Sequence, residues 1–357
     1  MPETKSLNSL RLKIDKIDLE ILSLINQRAQ VAREVGVLKG TAPKFRPERE
    51  AELLQNLQKC NDGPVMSDGV RSIFVEIISA CRALEEPPIV SCLGPAGTFS
   101  EQAVLKNFGK SCKIDLTGTI DEVFKKVESR NTKYGVVPIE NSSEGAVART
   151  LDLLVSTNLK ICGEILLPIH HNLLTRSEDL KSVDKIYSHA QSFGQCQRWL
   201  IRNMPNAEQI TVSSNAEGAR LVASGPENIA AIAAIQAAER YKVPVRCKGV
   251  EDEAENITRF VILGMESIGP ATTNKTSIIM STPSRPGALF ELLEPLSMNQ
   301  VNMIRLESRP SKNAIWDYIF FVDILGHQQD PNIMSSLEEI RDKAAFLKIL
   351  GSYPTVI

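Results

Sequence analysis

Three groups of polar residues have the types and spacing to do chemistry. The first is cationic. Arg28 takes an apolar position in the helical stripe Leu10, Ile14, Ile17, Ile21, Leu24, Val31, Val35 and Leu38. Lys39 follows eleven residues later. At about 100° per residue, that step returns it to within about 20° of the same face. Two cations on one buried face call for an anion, because unpaired buried charge is costly. Arg11 lies about 100° from Arg28 by the same arithmetic and points elsewhere, as a residue offered to a partner's site would. Arg49 and Glu50 sit side by side on a following helix and add a cation and a carboxylate. Singly, each is surface charge or a snorkelling side chain. Together they describe an anion pocket.

The second group gathers where apolar runs end. PIENSSEG (138–145) closes the run Tyr134–Val137 with Glu140, Asn141 and Ser142. SHAQSFGQC (188–196) brings Ser188, His189, Gln191 and Gln195, and ENITRF (255–260) brings Thr258, Arg259 and Phe260. GPAGTFSEQA (94–103) is a glycine turn into a capped helix. Its backbone N–H groups and the Thr98 and Ser100 hydroxyls suit a carboxylate. It is not a dinucleotide fingerprint. The third group is weaker: PGALFELLEP (286–295) and IRLESRP (304–310).

The elements that must position these residues follow three rhythms. Residues 1–86 are helical, with a first helix of about 30 residues, roughly 45 Å long, which leaves apolar surface for a second copy to cover. The third helix carries the stripe Phe74, Ile77, Ile78 and Cys81, continued by Glu85 at an i,i+4 step, so Glu85 is expected to face the helical core. Glu85-Glu86-Pro87-Pro88 reads as a linker. From Ile89 to about Gly264 apolar runs alternate with helical stretches, which predicts a mainly parallel, helix-covered sheet, long enough for two lobes. From Thr276 the order is βαββαβ, the ferredoxin-like order, with a helix over 331–346 and a short last strand.

Composition narrows the class. The chain has 357 residues, a formal charge of −2 and 43% hydrophobic residues, an ordinary balance that gives no sign of a nucleic-acid surface. Its start, MPETKSLNSLRLK, lacks the apolar core of a signal peptide, and no run is long enough to span a bilayer. Seven cysteines without C-x-x-C spacing read as reduced thiols of a cytoplasmic protein. Four histidines without a ligand motif make a metal site unexpected, and no cofactor is called for.

Residues 7–86 resemble the all-helical chorismate mutases through Arg11, Arg28, Lys39 and Arg49-Glu50. The resemblance implies a pocket for a dianionic enol-pyruvyl ether, with Arg11 supplied by the other protomer, Lys39 on the ether oxygen and Cys81 lining the site. Glu85 stands where some members carry a glutamine that donates to that oxygen. GPAGTFS, PIENS, SHAQ and TRF in this order resemble the prephenate dehydratases, with Ala190 where a proline is usual. That implies Thr258 as proton donor or orienter and Arg259 as carboxylate binder. Glu140, Asn141, Ser142, Ser188, His189, Gln191, Gln195, Thr98, Ser100 and Phe260 would shape the site, with a structural role favoured for His189. GAL and ESRP resemble ACT regulatory domains, implying that Gly287, Ala288, Leu289, Glu307, Ser308 and Arg309 bind phenylalanine between two protomers.

The expected architecture is therefore three domains. An all-α mutase domain (1–87) precedes an α/β two-lobed dehydratase domain (88–268) and an α+β ferredoxin-like ACT domain (273–357). The expected enzyme converts chorismate through prephenate to phenylpyruvate under phenylalanine feedback, as a homodimer or larger assembly. A second class, a non-catalytic cytoplasmic amino-acid sensor, would need neither Arg28 nor Lys39 in its helical seam.

Overall fold

The computed structural model describes residues 6–39, 45–310 and 318–355, the side chain of Lys39 excepted. The helical segment folds as α1 (Leu7–Lys39), α2 (Pro47–Lys59) and α3 (Ser67–Ala83). Pro47 opens α2, where a missing backbone N–H costs nothing. Leu54, Val75 and Ile78 form a small core between α2 and α3. Among its described side chains, α1 is covered only along Ile25, Arg28, Ala29, Ala32 and Gly36, a stripe spaced by three and four. The longer apolar stripe stays in solvent, with Ile14 57%, Ile17 53% and Val31 58% exposed.

The expected linker does not hold the helical segment at a distance. Arg82, buried at the end of α3, donates to the Phe108 carbonyl (3.3 Å) and pairs with Glu50 (3.2 Å). Its guanidinium lies over the Phe45 and Phe108 rings, 5.0 and 5.7 Å from their centroids. A cation between two rings ties the helices to the α/β segment that starts at Ile89.

That segment begins with β1 (Ile89–Leu93), α4 (Phe99–Phe108), β2 (Lys113–Thr117), α5 (Ile120–Glu128), β3 (Tyr134–Asn141), β4 (Gly145–Ala146), α6 (Ala148–Ser156) and β5 (Lys160–Pro168). The second lobe holds β6 (Asn172–Thr175), β7 (Lys185–Ser188), α7 (Ala190–Gln195), α8 (Gln197–Asn203), β8 (Glu208–Thr211), α9 (Asn215–Ser224), β9 (Ile229–Ala233), α10 (Ile235–Tyr241) and β10 (Val245–Lys248). The chain then returns to the first lobe as β11 (Ile257–Gly264). The sheets run β2-β1-β3-β11-β5, with β4 on β3, and β10-β6-β9-β7-β8. The sequence alternation predicts mainly parallel pairing, and each lobe corrects it. β1 pairs parallel with β2 and β3, and β7 with β8 and β9. β11 is antiparallel to β3 and β5, and β6 to β9 and β10. Strands that arrive from the other lobe enter their sheet from the opposite end.

The last segment is β12 (Asn274–Ser281), α11 (Ala288–Met298), β13 (Met303–Pro310), β14 (Tyr318–Leu325), α12 (Pro331–Lys343) and β15 (Phe346–Pro354), in sheet order β13-β14-β12-β15. The last helix stops before Phe346, and the final strand has nine residues rather than a few. β15 pairs along all of β12 and places Leu350 and Tyr353, with Ile279 and Phe321, in one core with Val137, Ile139, Leu151, Ile161 and Val261 of the first lobe. Among the described residues, no helix is long and apolar enough to cross a membrane.

Candidate functional site

Side chains on a strand alternate between faces, and the end of β11 uses both. Thr258 lies opposite Asn141 on β3. Asn141 Nδ2 donates to Thr258 Oγ1 and to Asn256 Oδ1, both at 2.8 Å. Asn256 Nδ2 donates onward to Gln195 Oε1 (3.1 Å), which also meets His171 Nε2 at 2.8 Å. These residues come from β3, both crossings between the lobes, and α7, so the chain of amides sits where the lobes join. Gly97 closes the junction on another side. Its φ is +88°, and a Cβ there would come within 3.0 Å of Ala237 Cα in the second lobe, so a side chain at this position is excluded.

The reverse face of the same two strands holds Arg259 opposite Glu140. Arg259 donates to Glu164 (2.9 Å), Asp323 (2.6 Å) and the Tyr353 hydroxyl (2.9 Å). Ser277 and Lys275 complete the cluster, on Asp323 and Glu164 respectively. Glu140 meets Arg305 of β13 at 2.8 Å and Arg259 at 3.7 Å. Burial alone would lower the Arg259 pKa; Tyr353, Asp323 and Glu164 outweigh it and hold it above the ordinary value. The resemblance to prephenate dehydratases implies Arg259 as a carboxylate binder and Glu140 as a residue that shapes the site. In the structure both make ion pairs at the seam with the last domain.

Several other expected site residues do local work. Thr98 donates to the Leu93 carbonyl and accepts from the Glu101 N–H, so its hydroxyl is spent on the cap of α4. Ser142 donates to the Glu255 carbonyl and accepts from the Ile257 N–H. His189 caps α7, with Nδ1 accepting from the Gln191 N–H, and it is exposed, as is Gln191. Ala190 is the first helical residue after that cap, where proline and alanine are both accepted. Ser188 is buried and donates to Asn215 and the Ile232 carbonyl. Phe260 is a core side chain beside Val104 and Phe108, not a site wall. Ser100 is buried at the start of α4.

In the helical segment Arg28 is half-buried and Arg11 exposed, while Lys39 ends α1 with its side chain outside the described residues. Arg49 is 73% exposed and faces Glu52 (3.8 Å). Glu50 is engaged by Arg82, and Cys81 is buried on α3. Glu85 corrects the helical register: α3 ends at Ala83, and Glu85 follows beyond its cap. It still faces α1, because a Cβ on Gly36 would lie 2.5 Å from its Cδ, and its Oε2 is buried without a hydrogen-bond partner among the described residues. In the last domain Gly287 has φ +79° and caps α11, Ala288 is buried, and Leu289 packs on the helix-side core. Glu307 is half-buried, Ser308 is exposed, and Arg309 donates to the Ala148 carbonyl (2.5 Å) and pairs with Asp152 (3.4 Å). Arg309, Phe321 and Asp152 line a cavity of about 340 Å3 between β13 and α6.

Three family models divide the chain: chorismate mutase type II over 10–86, prephenate dehydratase over 90–268 and an ACT domain over 276–342. A bifunctional chorismate mutase/prephenate dehydratase of Neisseria gonorrhoeae is 47% identical over 349 residues, covering 97% of this chain and 96% of its own. One from Stutzerimonas stutzeri is 45% identical over all of both chains. The chain belongs to the bifunctional chorismate mutase/prephenate dehydratase family. The prephenate dehydratase of Arthrobacter aurescens, solved with L-Phe, matches 75% of this chain and 90% of its own at TM-score 0.70 and 29% identity.

Within the dehydratase domain, the sequence pattern does not single out His171, Asn256 or Asn215. Asn215 Oδ1 collects Ser188, Ser192 and the His189 N–H, each at 3.0 Å. None of the three stands in a periodic stripe. Their one signal is polarity beside an apolar run. In the mutase domain Arg82 escapes for a different reason: an arginine in the last turn of a helix reads as dipole compensation.

Proposed function

We propose that the two reactions run at separate sites, with seams near residues 87 and 268–273. The helical domain rearranges chorismate to prephenate. Arg28 and Lys39 hold the dianion folded, and Arg11 enters from a second copy of the chain. No nucleophile is required, so positioning and charge supply the acceleration. The exposed stripe of α1 supports a homodimer formed along that helix, and a 33-residue helix in solvent has little else to stabilise it. The edge of β13, unpaired among the described residues and with Ile304 and Leu306 exposed, supports a second contact between ACT domains.

The dehydratase reaction belongs to the junction of the lobes. One observation carries this reading: Asn141 donates to Thr258 Oγ1. With an oxygen lone pair so filled, the threonine proton is left for the substrate's ring hydroxyl. As the ring carboxylate departs as CO2, its bonding electrons form the new ring double bond and expel that hydroxyl, protonated, as water. L-Phenylalanine acts through the ACT domain, where the cavity beside Arg309 and the exposed Ser308 lie on the strand whose Arg305 grips Glu140. The enzyme works in the cytoplasm. The sensor alternative finds no support in the family to which the chain belongs.

The test uses both activities of one protein. Arg28→Ala is expected to abolish chorismate turnover and leave added prephenate converted; Thr258→Ala is expected to do the reverse. Refolding Arg28→Ala together with Arg11→Ala is expected to restore part of the mutase activity, since a mixed dimer has one complete pocket. Two variants that never complement, or a monomer in sedimentation, would remove the shared-site reading.

A further inference from the structure

The directions of the hydrogen bonds at the lobe junction are decided from one end. Backbone N–H groups of Ser143 and Glu144 donate to Asn141 Oδ1 at 3.1 and 3.2 Å. That fixes which end of the Asn141 amide is oxygen. Its Nδ2 therefore donates to Thr258 and Asn256, and Asn256 keeps its own Nδ2 for Gln195 Oε1. A carbonyl oxygen has no proton to give, so at 2.8 Å His171 Nε2 must carry one. The imidazole thus has its proton on Nε2 and a bare Nδ1, which is buried without a hydrogen-bond partner among the described residues.

His171 is held firmly in that pose. It is 1% exposed, its backbone N–H donates to Glu251 (2.8 Å), and its ring lies edge-on to Phe99 at 5.6 Å. A leucine or phenylalanine would fill the same wall, so packing alone does not explain an imidazole here.

We propose that His171 is a positioning residue of the dehydratase: its Nε2–H holds the Gln195 carbonyl and so fixes the far end of the amide chain that leaves the Thr258 proton to the substrate. The role rests on Thr258 serving the leaving hydroxyl. His171 touches neither Thr258 nor the reacting atoms. It acts through Gln195 and Asn256, and without it the Gln195 amide is free to turn over and offer Asn256 a donor instead of an acceptor.

The site favours the neutral ring. Burial lowers the His171 pKa below its ordinary 6.5, opposed by Gln195 and Glu251, with neighbouring His170 adding to the lowering. The charged groups around it are Glu251, which also binds His170, and Glu144, which reaches Gln195 from the first lobe at 3.5 Å. Protonation would place an unpaired donor and a charge in the apolar wall. Because the added proton goes to Nδ1, the Nε2–H that holds Gln195 is present in both protonation states, and the neutral form is the one the buried site favours.

Full-length His171→Leu, His171→Gln and Thr258→Val are assayed with prephenate and, separately, with chorismate. His171→Leu is expected to lower dehydratase kcat roughly 10- to 100-fold, with KM changed less than about threefold. Mutase activity of the same sample should remain at wild type. His171→Gln, which restores an N–H near the Nε2 position, should recover most of the kcat. Wild-type kcat in His171→Leu, or a folded His171→Gln whose kcat is as low as that expected of the leucine variant, overturns the proposal. Should the leucine variant misfold, the glutamine variant decides alone. Retained activity in Thr258→Val would instead overturn the reading beneath it.

Discussion

A threonine hydroxyl is both donor and acceptor, and its neighbours decide which role remains. At Thr258 the neighbour is an amide nitrogen 2.8 Å away. Replacing Asn141 by aspartate keeps the shape and the bonds from Ser143 and Glu144 but turns that donor into an acceptor. The Thr258 proton would then be drawn to the new carboxylate. Asn141→Asp is expected to lower dehydratase kcat at neutral pH by about 100-fold or more, the scale seen when one preorganised donor is lost. Chorismate turnover on the same preparation should be unaffected. A kcat within a few-fold of wild type would mean that the Thr258 proton is not set by this bond.

At the scale of one element, β11 binds two functions by its pleat. Thr258 looks into the lobe junction and Arg259 into the ACT seam, one residue apart. Arg259, Glu164 and Asp323 are all buried. Paired buried charges add little net stability against an apolar alternative, but removing one partner strands the others, at roughly 3–5 kcal/mol. Arg259→Ala should lower the unfolding free energy by about that much, read from denaturant midpoints. Weakened phenylalanine inhibition should accompany it, because the strand carrying Thr258 would no longer be tied to the ACT sheet. Arg259→Lys should rescue only part, since one ammonium cannot address three partners in a fixed plane. Full inhibition and unchanged stability in Arg259→Ala would show that the seam is not held here.

For the whole molecule, the three domains are less separable than their sequences suggest. Read from sequence alone, residues 273–357 form a separate regulatory domain, and a separate domain could be removed without loss of catalysis. Yet Ile279, Phe321, Leu350 and Tyr353 belong to one core with β3, α6 and β5. Deleting the module would expose Val137, Ile139, Leu151, Ile161 and Val261, each 3% or less exposed in the intact chain. At about 1.5–3 kcal/mol per large apolar side chain, full exposure of these five would cost an amount comparable to the whole stability of a typical domain. The truncated protein is therefore expected to aggregate or lose dehydratase activity, not merely its feedback, as size-exclusion chromatography and a prephenate assay would show. A soluble, fully active truncation would mean that the shared core contributes little.

The order of the domains, the long first helix, the βαββαβ rhythm and the polar ends of the strands that meet at Thr258 are all legible in the chain. They are local properties: helical and strand periods, caps, and polar residues where apolar runs stop. The alternation that puts Thr258 and Arg259 on opposite faces is equally local. Which face stays open to the lobe junction depends on what covers the other one, and here β15 and β14 cover it from 94 and 64 positions away in the chain. For that reason the ion pairs of Arg259 and Glu140 across the seam emerge only on folding. The place of Glu85 depends on where α3 frays, and helix ends are the least legible part of any helical pattern. His171 and Asn256 leave no periodic trace, because each is a single polar residue at a crossing between lobes. Their meaning arises from hydrogen-bond directions that exist only once β3, α7 and both crossings are brought together.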